Sequence, residues 1–256
     1  MTFHYKNTPI NYNIFGKGPA IVLLHGFLES ATMWEPLIPQ FATNRTVIAI
    51  DFPGHGKSDV ITEIHTMELM AQVVDEIVKH LQITSATFLG HSMGGYVALA
   101  YAELFSEKVE KLILLNSSPV ADSEARKTNR NRALKVIEKS PKAYISMAIS
   151  NLIAESSREE FIAEIEALKL EAYTFPVEGI KAAIKGMRDR KDRTEILKNL
   201  TKDKYVILAE EDPILPFLEV KQLAEKCGAS VKIIAGGHMS VIENTEAIAN
   251  YLRLTV

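Results

Sequence analysis

Short, largely β-branched apolar runs recur along the chain at 20–24, 46–50, 86–89, 111–115, 205–209 and 231–234. Between them lie stretches with a helical period, such as 67–81, where Met67, Met70, Val74, Ile77 and Leu81 fall on one face at spacings of three or four. Strands that alternate with helices in this way predict a mostly parallel sheet covered by helices on both faces, an α/β fold. The alternation stops once. From 119 to 200 no strand pattern occurs, only helical periods over 133–139, 142–153, 158–173 and 177–190, broken by Pro141 and Pro176. The chain therefore divides into a core at 1–118, a helical insertion at 119–200 and a second core segment at 201–256.

Composition narrows the function classes. With 256 residues, 47% of them hydrophobic, the chain can bury one large core. The net charge of -3 supplies no basic field for phosphates and argues against nucleic acid as a partner. No apolar run reaches the roughly 18 residues of a membrane span, and the first residues lack a signal-like apolar segment, so the expectation is a soluble, unprocessed, cytoplasmic protein. The single cysteine, Cys227, cannot form an internal disulfide and reads as a small buried hydrophobe. The mixed-sign run 188–193 reads as a solvated surface. Homo-oligomer formation is left open.

The chemistry concentrates where the run 86–89 meets Gly90-His91-Ser92-Met93-Gly94-Gly95 and the helical sequence 96–104 follows at once. A serine on a sharp strand-to-helix turn sits in a strained backbone conformation, and only glycine fits two residues to either side, where a side chain would strike the neighbouring strand or helix. The helix start directs free N–H groups and its positive dipole end at an anion formed beside Ser92. Met93 N–H is thus one oxyanion donor. Phe27, in the loop His25-Gly26-Phe27-Leu28 after the run 20–24, presents a second. His25 holds that loop and, with His91 and Met239, is a candidate for the wall of the substrate pocket.

The blocks His25-Gly26-Phe27, Asp51-Phe52-Pro53-Gly54-His55-Gly56-Lys57-Ser58 and Gly90-His91-Ser92-Met93-Gly94-Gly95 resemble the N-terminal signatures of the α/β-hydrolase superfamily, in particular its small, capped, esterase-like members. The resemblance runs from about residue 9 to 253 and is weakest across the helical insertion, which corresponds to the family's cap. It implies a triad in the chain order Ser, acid, His. His238, in Gly236-Gly237-His238-Met239-Ser240, is the only histidine after Ser92 and so the implied general base. The turn Glu210-Glu211-Asp212-Pro213-Ile214-Leu215-Pro216 is similar to the family's acid turn, with Ala209 in place of its glycine, and it makes Asp212 the acid. Glu210 and Glu211 are its local rivals. The alternative acid position of the family reads Asn116-Ser117-Ser118, without a carboxylate.

Together these residues imply a serine esterase acting on a small to medium carboxylic ester, thioester or lactone through an acyl-enzyme, without metal or organic cofactor. Apolar insertion residues such as Met147, Phe161, Leu168, Tyr173, Phe175 and Met187 would form the cap's core and pocket side. Carbon–carbon bond hydrolysis, a lyase, an acyl or peracid transferase, and a ligand receptor without turnover stay open as readings of the same residues.

Overall fold

Every residue of the run 20–24 is buried. Successive side chains of a strand point to opposite faces, so a continuous apolar run needs cover on both. Val22 and Leu24 pack into the larger hydrophobic cluster on one face, and Ile21 and Leu23 into the cluster on the other. Each such side chain contributes about 1.5–3 kcal/mol relative to exposure.

The computed structural model describes all 256 residues. Its eight strands are β1 (Thr2–Tyr5), β2 (Thr8–Phe15), β3 (Ala20–Leu24), β4 (Thr46–Ile50), β5 (Ala86–His91), β6 (Val109–Leu115), β7 (Asp203–Ala209) and β8 (Ser230–Ile234). They form one sheet in the order β1-β2-β4-β3-β5-β6-β7-β8. The β1–β2 and β2–β4 pairs are antiparallel, and all other pairs are parallel. The apolar-run pattern overlooks β1 and β2 because they form an edge that buries only Tyr5, Ile10 and Tyr12.

Helix α1 (Ile38–Phe41) joins β3 to β4 on one face, and α2 (Met67–His80) joins β4 to β5 on the other. Thr66 caps α2 by accepting the Leu69 N–H at 3.1 Å. Since β4 and β5 flank β3 on opposite sides, the chain reverses direction across the sheet here, and the loops leaving β3 and β5 part at their carboxyl ends. That is where an open parallel sheet forms a crevice. Helix α3 (Met93–Leu104) follows β5 and is buried along most of its length.

Five helices, α4 (Glu124–Lys139), α5 (Pro141–Ser150), α6 (Ile162–Ala172), α7 (Val177–Arg188) and α8 (Thr194–Asn199), lie between β6 and β7. Helix α4 starts nine residues before the apolar period at 133, because its first turns are polar and are started by Ser123, whose Oγ accepts the Arg126 N–H. The segment carries a hydrophobic cluster of its own around Ile145, Ile149, Ile165 and Ile184, which also takes in Leu28 and Met239 from the sheet's loops. Helix α9 (Phe217–Lys226) then packs beside α3's face, and the short α10 (Ser240–Glu243) and α11 (Thr245–Thr255) complete the chain, α11 lying on the opposite face. No helix is long and apolar enough to cross a membrane.

Candidate active site

Ser92 stands between the last residue of β5 and the first of α3 with φ 49° and ψ -113°. A non-glycine residue there stores about 1–3 kcal/mol of backbone strain, which the surroundings must overrule. They do so with hydrogen bonds: Ser92 N–H donates to the Leu115 carbonyl at 3.0 Å, and the Ser92 carbonyl accepts the Ser117 hydroxyl at 2.7 Å. The flanking glycines are a matter of space. A Cβ on Gly90 would meet the Gly94 backbone, and one on Gly94 would strike the Leu24 carbonyl.

The turns after β7 and β8 bring the other two groups to the same edge. His238 Nε2 lies 2.8 Å from Ser92 Oγ, and His238 Nδ1 lies 2.7 Å from Asp212 Oδ2. The second carboxylate oxygen of Asp212 accepts the N–H groups of Ile214 (2.7 Å) and Leu215 (3.0 Å). The side chains of His238 and Asp212 are each 2% exposed. Burial alone would raise the Asp212 carboxyl, but His238 and the two N–H donors outweigh it and hold it below the usual carboxylate range. Asp212 is thus an anion whose charge is spent on the imidazole, leaving Nε2 to face the serine as acceptor. Glu210 and Glu211 take no part in this chain; Glu211 accepts the Ser156 hydroxyl at the surface.

Met93 is the first residue of α3 and has no carbonyl one turn back within the helix, and none of the backbone hydrogen bonds of the β3 loop uses the Phe27 N–H. Both expected oxyanion donors are therefore free. Beside them a cavity of about 310 Å3 is bounded by Ser92, His238, Phe27 and Tyr96 from the sheet side and by Tyr144, Met147 and Leu152 from the helical segment.

The three further residues expected in the pocket wall are not there. His25, His91 and Met239 are fully buried and stand behind the cavity. His25 donates from Nδ1 to the Gly26 carbonyl (2.7 Å) and accepts the Phe52 N–H at Nε2 (2.9 Å), which makes it a neutral loop brace; burial lowers its pKa accordingly. Met239 packs into the cluster of the helical segment. Of the insertion residues, Met147 and Met187 reach the cavity, whereas Leu168 and Phe175 pack within the segment. Asp51, the carboxylate of the second sequence block, binds the Ala31 and Lys57 N–H groups and Asn11 Nδ2, and so ties loops together.

Two residues that carry no signature organise the site. Glu29 Oε2 accepts the Gly26 N–H (2.6 Å) beside Phe27 and lies 2.9 Å from His91 Nδ1, while His91 Nε2 lies 2.9 Å from the His238 carbonyl. A carbonyl only accepts, so Nε2 carries a proton, and the carboxylate draws one to Nδ1. Burial disfavours charge on both groups, but their mutual attraction prevails: the His91 pKa is raised and that of Glu29 lowered. Asn116, at φ 44°, donates from Nδ2 to the His238 carbonyl (2.8 Å) and Ser240 Oγ (2.7 Å) and accepts the Ala209 N–H (2.9 Å). The helical segment joins in, since the Leu152 carbonyl accepts the N–H groups of His238 and Met239.

Residues 19–245 match the model of the alpha/beta hydrolase fold family. The chain belongs to that family. The α/β hydrolase is 30% identical over 240 residues to the uncharacterized hydrolase YugF of Bacillus subtilis, a match that covers 91% of this chain and 88% of the other. An uncharacterized protein of Mycobacterium tuberculosis shares 37% identity over 109 residues, 43% of this chain, so the match spans about a third (32%) of that relative's length. Among solved structures, a thermophilic esterase from Thermogutta terrifontis superposes with a TM-score of 0.91 at 30% identity, covering 96% of this chain and 92% of that one. In this hydrolase Asp212, His238 and Ser92 follow the carboxyl ends of β7, β8 and β5, where the crevice of the sheet lies.

Proposed function

We propose that this protein cleaves a small to medium carboxylic ester, thioester or lactone through an acyl-enzyme on Ser92. The observation that carries this reading is the continuous line from Asp212 through His238 to Ser92, at 2.7 and 2.8 Å, ending beside a cavity of about 310 Å3. The likeness to the Thermogutta esterase supports the same class. In the first step Ser92 Oγ attacks the carbonyl carbon while His238 Nε2 takes its proton, and the Phe27 and Met93 N–H groups hold the oxyanion. Collapse breaks the bond to the leaving alcohol, thiol or alkoxide, which receives the proton from His238. Water then repeats the sequence, with His238 as base, and releases the acid and free Ser92. Helices α4 to α8 act as a cap that sets how long an acyl group the cavity accepts.

The experiment is a panel of p-nitrophenyl esters of rising chain length, run on wild type and Ser92→Ala, with fluorophosphonate labelling followed by mass spectrometry. Turnover and a single adduct on Ser92, both lost in Ser92→Ala, are expected. An adduct on another serine, or turnover that survives the substitution, overturns the reading.

A further inference from the structure

The cap contributes more than apolar surface to the catalytic cavity. Arg126 and Arg130, one turn apart on α4, border it together with Asn129. Both are bound to Asp122, whose side chain is fully buried, and so is Arg190 from the end of the cap. The separations are 3.8, 3.1 and 2.5 Å. No second carboxylate lies within ion-pairing distance of any of the three. Three guanidinium groups around one carboxylate leave an excess of positive charge. Arg190 dissipates part of it by lying 4.0 Å over the ring of Tyr96. Arg126, whose side chain is 34% exposed, also spans to the Ile214 carbonyl in the turn that bears Asp212. Its head thus stands between the cap and the line of catalytic groups.

Asp122 lies behind the guanidiniums, and the only acid on the cavity wall itself, Glu29, is already matched by His91. An adjoining cavity of about 420 Å3 shares Arg126 and is also lined by Arg190, Lys226 and one acid, Glu219, so the positive charge around Asp122 faces both cavities, and Arg126 and Arg130 are its part in the catalytic one. Partly buried guanidinium groups with spare N–H donors prefer a planar anion that accepts two parallel hydrogen bonds.

We propose that the substrate is an ester or lactone that carries a free carboxylate, bound by Arg126 with Arg130 beside it while its ester carbonyl reaches Ser92. This rests on the ester-cleaving reading above and names the substrate class of that site. Arg126 acts on the anion end of the substrate, away from the bond that breaks, so its effect falls on discrimination between charged and neutral esters.

The test compares kcat/KM for methyl hydrogen adipate and for methyl hexanoate by pH-stat titration, with the fluorophosphonate label on Ser92 as the control for the underlying reading. Wild type should favour the adipate monoester by about tenfold or more, and Arg126→Gln should bring that ratio towards one, with Arg126→Lys between. The ratio is the readout because lost packing lowers both substrates together. Raising sodium chloride from 0.05 to 0.5 M should also lower the wild-type ratio, as screening of a partly exposed ion pair requires. A wild-type ratio of one or below, or a ratio that Arg126→Gln leaves in place, overturns the carboxylate assignment while methyl hexanoate turnover and the Ser92 label keep the esterase reading. Failure of both esters with Ser92 labelled overturns it as well. Failure of both together with an absent label overturns the two readings at once.

Discussion

The ring of His91 lies 5.1 Å from the ring of His238, centroid to centroid, and His91 Nε2 donates to the His238 carbonyl. A charged imidazole, neutralised by Glu29, thus supports the backbone of the residue proposed as general base, and the same Glu29 holds the Gly26 N–H of the loop that presents Phe27.

That pair should write itself into the pH dependence of stability. The His91 pKa is raised above its ordinary 6.5, so its contribution is complete below 6.5 and is lost as pH rises through the raised value. The Glu29 pKa is lowered below its ordinary 4.5, so its share is complete above 4.5 and is lost as pH falls through the lowered value. Wild-type Tm should therefore fall between pH 6 and pH 9, and Glu29→Gln should be less stable at pH 6 with a flatter profile across that range. Parallel profiles for the two proteins would contradict the ion pair.

Asp212→Asn should fold and lose about a hundredfold to ten-thousandfold in kcat, because an amide favours the wrong imidazole tautomer and cannot stabilise the imidazolium. Asp51→Asn should instead lower Tm, since its carboxylate accepts three donors, one from β2 and two from loops. Measuring kcat and Tm for both separates the two carboxylates. Near wild-type turnover in Asp212→Asn would show that the acid lies elsewhere.

The elbow glycines should differ in how they can be rescued. A Cβ on Gly94 meets the Leu24 main chain, whereas a Cβ on Gly95 meets chiefly the Ser117 side chain. Both Gly94→Ala and Gly95→Ala should lose about 1–3 kcal/mol or more by overpacking. Ser117→Gly should restore part of the loss in Gly95→Ala and none in Gly94→Ala, a difference that a double-mutant cycle in urea measures. Equal rescue of both would refute the packing account.

Asn116→Ala removes four side-chain hydrogen bonds and leaves the Ala209 N–H buried without a partner. The expected loss is about 2–4 kcal/mol, visible as a lower Tm, with kcat reduced because the His238 loop loses its anchor to β6. Full stability in Asn116→Ala would mean that the loop is held by Leu152 and His91 alone.

How much of this was legible beforehand follows from the range of the interactions concerned. Apolar runs, helical periods and the glycines around Ser92 express constraints between residues a few positions apart, and these suffice to place β3 to β8, α2, α3 and the elbow. The chain order of Ser92, Asp212 and His238 was readable through the family resemblance, since each follows a recognisable strand. What a side chain does after the strands assemble is another matter. His25, His91 and Met239 adjoin motif residues in sequence, yet the sheet turns them away from the cavity into its supports. Glu29 and Asn116 have no local signature, because their partners lie 62 and 122 residues away. Arg126 reads as one charge among many on a polar helix; only the docking of α4 over the crevice puts it beside Ser92's cavity with Asp122 as shared counter-ion. Sequence by itself determined most of the elements and, with the family resemblance, the candidate reactive groups, whereas burial and long-range pairing, which exist only once the elements have packed, decided which residues support the site and which face the cavity.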